Sequence, residues 1–158
     1  MAFDSKLQRK IMGRFATGVT VVTTAGPGGM GGLTANAVAS LSLDPPLVLV
    51  AVDKRAGSHA EISANGCYAM NILSAEQQEL SRKFATSGPK DFTGLTWTTD
   101  ATGAPILDGA LGYIDCRLRE ILPGGDHDIF IGEIVAGAAR DDGEPLLYWS
   151  AGYRRLAN

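Results

Sequence analysis

Gly112–Val135, GYIDCRLREILPGGDHDIFIGEIV, holds two strand signals about a turn, and the rest of the chain is arranged around them. Within it Ile114, Cys116 and Leu118 alternate with Asp115, Arg117 and Arg119, the period of a strand with one buried and one solvated face. Pro123, Gly124, Gly125 and Asp126 turn the chain, and His127–Val135 begins a second apolar, β-branched run. Two such runs about a short connection predict an antiparallel hairpin.

Strand signals extend to both sides of the hairpin. After the turn residues Asp141-Asp142-Gly143, Leu146–Trp149 reads as a strand that Gly152–Leu156 extends or edges. Upstream, Tyr68–Leu73 and Val19–Thr24 (VTVVTT) read as strands, and Leu47–Val52 (LVLVAV) follows Pro45-Pro46, which no helix crosses. Helices belong at the periphery. Phe3, Leu7, Ile11 and Phe15 recur every four residues with Ser5 and Gln8 as a capping box, Ser58–Ala64 is a short helix, and Ser74 with Gln77 caps a helix ending near Phe84. Thr86–Asp108 is mostly loop, with a short strand at Leu95–Thr98 and Trp97 as a packing anchor. The second half lacks the crossover helices a parallel sheet needs. The expectation is therefore one mainly β (α+β) domain over residues 1–158, an antiparallel barrel or sandwich of six to eight strands with two or three peripheral helices.

Composition narrows the function. Seventeen acidic and fourteen basic residues give a net charge of −3, with no basic surface pattern for nucleic acid. No apolar run is long enough to cross a bilayer and MAFDSKLQRK has no apolar signal core, so the expected location is the cytoplasm. Cys67 and Cys116 sit in separate strand-like segments without a CxxC and read as buried thiols; with His59 and His127 equally dispersed, no metal site is expected.

Gly26-Pro27-Gly28-Gly29-Met30-Gly31 satisfies GxGxxG after a strand, with Asp53 closing the next one. A dinucleotide fingerprint would require a helix to start at Gly31. The following GLTANAVASLSLDPP is instead rich in weak helix formers, which favours a glycine-rich hairpin loop. Thr34, Asn36, Ser40 and Ser42 are evenly spaced, placing a row of small donors and acceptors on one strand face opposite Leu33, Ala35 and Leu41. Such a row either meets water on an edge strand or meets a polar-edged ligand.

Taken in order, GRFATGVTVVTT, GLTANAVASLSLDPPLVLVAVDKRAGSHAEI, YAMNILSAEQQELSRKFA, GGDHDIFIGEIV and LLYWSAGYRRL resemble the flavin reductase-like family with the FMN-binding split-barrel fold. Within that family the likeness is to the small reductase components of two-component aromatic monooxygenases. The resemblance implies a homodimer of six-stranded antiparallel split barrels that passes hydride from NADH or NADPH to FMN or FAD and supplies reduced flavin to a partner monooxygenase. It also implies that Thr34, Ala35, Asn36, Ser40 and Ser42 form a flavin-binding strand. Ala51, Val52, Asp53, Lys54 and Ser58 match a second flavin segment, with Lys54 and Ser58 as phosphate partners, and Arg82, Lys83 and Phe84 match a third. Arg82 and Lys83 also suit a helix C-terminus and Phe84 a helix core. Gly125, Asp126 and His127 match the nicotinamide segment, with His127 orienting the nicotinamide; His59 reads as surface or near phosphate, and Arg154 contacts the dinucleotide or the dimer partner. The rival on the same fold is a non-catalytic FMN-binding or electron-carrier protein.

Overall fold

The computed structural model describes residues 2–157. In chain order they form α1 (Ser5–Met12), β1 (Thr17–Gly18), β2 (Thr20–Thr24), β3 (Gly31–Ala35), β4 (Val38–Leu43), β5 (Pro46–Asp53), α2 (Gly57–Asn65), β6 (Cys67–Ile72), a 3-10 turn (Ala75–Gln77), α3 (Gln78–Phe84), β7 (Trp97–Thr98), β8 (Ile106–Leu107), β9 (Gly112–Gly124), β10 (His127–Ala139), β11 (Leu147–Trp149) and β12 (Gly152–Arg154). The expected hairpin is β9–β10, but each strand runs 13 residues, well beyond the expected limits. The connection is Gly125-Asp126, with Gly125 at φ +77°, a left-handed turn position that glycine occupies without strain.

One seven-stranded sheet, ordered β3-β2-β6-β9-β10-β5-β4, carries the fold, and every pairing in it is antiparallel. Its two edge strands, β3 and β4, are consecutive in the chain and separated only by Asn36 and Ala37. Three backbone steps span at most ~11 Å, so the sheet curls until its edges nearly meet. Register shifts at Ile131/Gly132 and Ile134/Ala136 in β10, and at Ser40/Ser42 in β4, bend the strands along that path. The strand count exceeds six to eight because β1, β11 and β12 form a separate small sheet and β7 pairs with β8.

The curled sheet encloses Val22, Val48, Val50, Val52, Tyr68, Cys116 and Phe130. Tyr68 donates its buried hydroxyl to Phe130 O at 3.0 Å, and Gly132 leaves room for it: a Cβ there would lie 2.7 Å from Tyr68 Oη. A second core outside the sheet joins Val19, Val21, Leu73, Phe84, Leu107 and Leu146, with Trp97 packed against it as expected. Because it covers the outer face of β2, that strand is buried on both sides.

The glycine-rich hairpin loop expected at Gly26–Gly32 joins β2 to its antiparallel partner β3, and two other sequence expectations are corrected. A strand, not a helix, follows Gly31, so the GxGxxG segment presents no helix N-terminus; Asn65 of α2 instead fastens the loop by accepting from Gly28 N at 2.6 Å and donating to Gly29 O at 2.8 Å. Asp115 does not face water: it is fully buried, because the loop carrying Thr102 folds over that face and donates its backbone N–H and hydroxyl to the carboxylate. The cap of α1 is Asp4, which accepts from Lys6 N, rather than Ser5. The Ser74–Gln77 capping box is present, although its first turn is 3-10. Cys67 and Cys116 are free and buried, and burial pushes the Cys116 thiol up to about 12.

Candidate functional site

At the end of β5 the chain leaves the sheet through Asp53, Lys54 and Arg55 and enters α2. Asp53 accepts three bonds from Arg55: the backbone N–H at 2.8 Å, Nε at 3.2 Å and Nη2 at 3.0 Å. Those bonds hold the carboxyl at about 2, below its ordinary value, and fix the direction of the guanidinium. The N-cap of α2 is Ala56, which offers no side-chain acceptor, and the first turn contains no acidic residue. Its first N–H groups and its dipole are therefore available to an anion.

These groups border a cavity of about 470 Å³ that also includes Thr34, Gly57, Ser58, Phe84 and the segment Thr86–Lys90. A second cavity of about 290 Å³ shares Thr34 and Ala85 with the first and is walled by Val19, Asn36, Ser81, Tyr148 and Tyr153. Tyr148 and Tyr153 meet edge to face at 5.5 Å, and Tyr153 Oη lies 2.6 Å from Ser81 Oγ. The Thr34 hydroxyl donates to Ser81 O at 2.5 Å, so β3, α3 and β12 converge on one residue. The shape that results is bipartite: a polar, cationic chamber beside an aromatic-walled one, with Thr34 between them.

The structure groups only part of the residues singled out in the sequence. Thr34, Asp53, Ser58 and Phe84 line the polar chamber, and Asn36 the aromatic one. The continuous polar face is not formed, because the chain breaks at Asn36-Ala37 and bulges between Ser40 and Ser42. Ser40 lines a separate apolar groove with Phe15, Val38 and Met70, while Ser42 pairs with Leu47 in the sheet. Ala35 and Val52 are buried in the core, and Ala51 donates its N–H to Ala37 O. Lys54 lies 3.8 Å from Asp128, Arg82 pairs with Glu79 and stands 5.6 Å over Tyr153, and Lys83 shares the last turn of α3.

His127 begins β10 directly across from Asp53. Its Nδ1–H donates to Asp126 Oδ1 at 2.7 Å, which lowers the Asp126 carboxyl, and the His127 side chain is 41% exposed. Gly125, Asp126 and His127 thus form one tip, docked on β5 by the bond from Lys54 N to Asp126 O at 3.1 Å. Arg154 is elsewhere, on β12 of the small sheet, 5.7 Å from the Trp149 ring. Arg55, Ser81, Tyr148 and Tyr153 were not singled out in the sequence. In Asp53-Lys54-Arg55 no local pattern tells which base borders the cavity; the Asp53 carboxylate holds Arg55 at its rim, with the side chain still largely exposed.

A family model described as "Flavin reductase like domain" matches residues 12–157. The chain is 38% identical over 152 residues to the reductase subunit HsaB of a flavin-dependent monooxygenase from Rhodococcus jostii, covering 96% of this chain and 78% of that one. It is likewise 38% identical over 152 residues to the FMN reductase (NADH) RutF of Stutzerimonas stutzeri, covering 95% and 87%. Among solved structures, the Streptomyces globisporus NADH:FAD oxidoreductase SgcE6 in complex with NAD and FAD fragments superposes with a TM-score of 0.92 at 36% identity, covering 99% of this chain and 97% of that one. With most of its length matched by the family model and its fold reproduced in such a relative, the chain belongs to the flavin reductase-like family.

Proposed function

We propose that the protein is an NADH-dependent flavin reductase that uses FMN or FAD and supplies reduced flavin to a partner monooxygenase. The observation that carries this reading is the bipartite site, whose two chambers match a molecule with a flat ring at one end and an anionic tail at the other. Bound flavin supplies the chemistry by accepting hydride from the nicotinamide. The protein binds and orients. Gly57 and Ser58 at the start of α2, with the clamped Arg55, hold the phosphate tail. Tyr148 and Tyr153 would border the ring, Thr34 and Asn36 would offer polar contacts at its edge, Phe84 would wall the tail chamber, and His127 would orient the nicotinamide or its carboxamide. The remaining segments named by the resemblance, from Ala51 to Lys54 and from Arg82 to Phe84, flank these contacts, and Arg154 serves the dinucleotide or the partner subunit.

We further infer that β3 and β4 act as one bent strand closing a six-stranded split barrel, supported by their two-residue separation at opposite edges of one sheet. Two such barrels form a homodimer. Phe3, Leu7, Ile11, Met12 and Phe15 on and around α1 are all exposed, an apolar stripe that a second copy would cover. Free buried thiols accord with a cytoplasmic location; no helix among the described residues is long and apolar enough to cross a membrane.

The test is NADH oxidation with FMN, FAD or riboflavin supplied in turn. Oxidation that depends on added flavin is expected. Stoichiometrically bound flavin with negligible NADH turnover would instead identify a carrier, and no flavin dependence at all would overturn the reading.

A further inference from the structure

We propose that Asp128 is a positioning residue: through His59 it holds the first turn of α2 in the orientation that binds the flavin phosphate. The inference rests on the reading of the polar chamber as the phosphate site. Asp128 follows His127 on β10, pairs with Val52 across the ladder, and its side chain is only 16% exposed. Its carboxylate accepts from His59 Nε2 at 2.7 Å and lies 3.8 Å from Lys54 Nζ. The His59 ring stands edge-on to Phe130, with centroids 4.9 Å apart and planes at 86°, and Phe130 is fully buried in the main core.

Neither Asp128 nor His59 lines the cavity, yet His59 directly follows Gly57 and Ser58, which do. Backbone bonds from Ala56 N to Asp53 O and from His59 N to Ala56 O, both at 3.0 Å, hold the helix entry, but Ala56 supplies no side-chain cap to fix the direction of those first amides. A partly buried, charge-assisted bond from a rigid strand does so. Such a pair returns little net stability for the desolvation it suffers, and its value lies in the geometry it enforces. By ion-pairing with Lys54 at 3.8 Å as well, Asp128 engages both ends of the β5–α2 turn, and Arg55 is the cation of that turn that borders the cavity.

The experiment compares KM for FMN with KM for riboflavin, which lacks the phosphate, and KM for NADH. Asp128→Ala is expected to raise the FMN value about tenfold while the other two stay within about twofold. His59→Ala should match it, the double variant should be no worse than either single one, and His59→Gln, which keeps a donor near the Nε2 position, should recover most of the loss. Equal rises for FMN and riboflavin, no rise at all, or additive losses would overturn the proposal, since a purely structural role moves all flavins together. Asp128→Asn, which keeps an acceptor for His59, serves if the alanine variant does not fold, and is expected to show the same selectivity for FMN at smaller size. Arg55→Ala and Ser58→Ala separate the two ideas. If they discriminate FMN from riboflavin and the Asp128 and His59 variants do not, only the positioning role falls; if none of them discriminates, the phosphate-site reading falls.

Discussion

Helices α1 and α2 invert the usual relation between sequence signal and burial. In α1 most local devices are present: Asp4 as N-cap, Arg9 and Lys10 in the last turn, and apolar residues in register, with only an acidic first turn lacking, yet it buries none of its residues. Helix α2 has no side-chain N-cap and no charges placed against its dipole, yet it buries Ser58 and Ile62 and borders the proposed phosphate site. Local signals determine whether a turn of helix forms; what covers it is a matter of the surfaces that arrive from elsewhere in the chain or from another chain.

Cutting one apolar side chain from each helix should give the largest contrast between them. Ile62→Ala, at a site with no exposure, is expected to cost ~2–5 kcal/mol of unfolding free energy, whereas Leu7→Ala on an isolated chain costs within ~0.5 kcal/mol. Denaturant titration at several protein concentrations measures both, and a large Leu7 penalty that shrinks on dilution would show that a partner covers α1. Next in size is Leu7→Glu combined with Ile11→Glu, which should convert a dimer to a monomer in sedimentation experiments while the far-ultraviolet spectrum stays unchanged. A dimer that survives both charges would place the interface away from α1.

Gly66 ends α2 at φ +67°, so Gly66→Ala should lower stability by ~1 kcal/mol, read as a modest fall in Tm. No fall would mean that the end of α2 relaxes without cost. The smallest effect concerns the entry to the same helix. Asp53 should titrate near 2 rather than near its ordinary 3.8 in a carboxyl NMR experiment, because Arg55 stabilises its charged form. A lowered folded-state value means that the clamp persists as pH falls through 4 and is lost only on approach to about 2. Titration near the ordinary value would show Arg55 swinging free of the α2 entrance.

The β9–β10 hairpin and β5 were legible because alternation, Pro-Pro and paired glycines are local consequences of strand geometry. Asp115 was not, since the same alternation that marks one face as buried cannot register a distant loop folding over the other. The site was legible in pieces. Thr34, Ser58, Phe84 and the Gly125–His127 tip carried signals of type and order, while Ser81 and Tyr153 acquire their places only when β3, α3 and β12 converge, and Arg55 is held by Asp53 two residues away, a pairing that no periodicity announces.

By itself the sequence determined an antiparallel β domain with short helices, and the order of segments that places it in its family, because backbone periodicity and turn chemistry act over a few residues. Tertiary structure alone decided that β3 and β4 stand at opposite edges of one curled sheet, that Lys54 turns to Asp128 while Arg55 borders the cavity, and that α2 rather than α1 is buried. Those outcomes depend on contacts between residues far apart in the chain, where packing and charge pairing choose among conformations that local preference leaves nearly equal in energy.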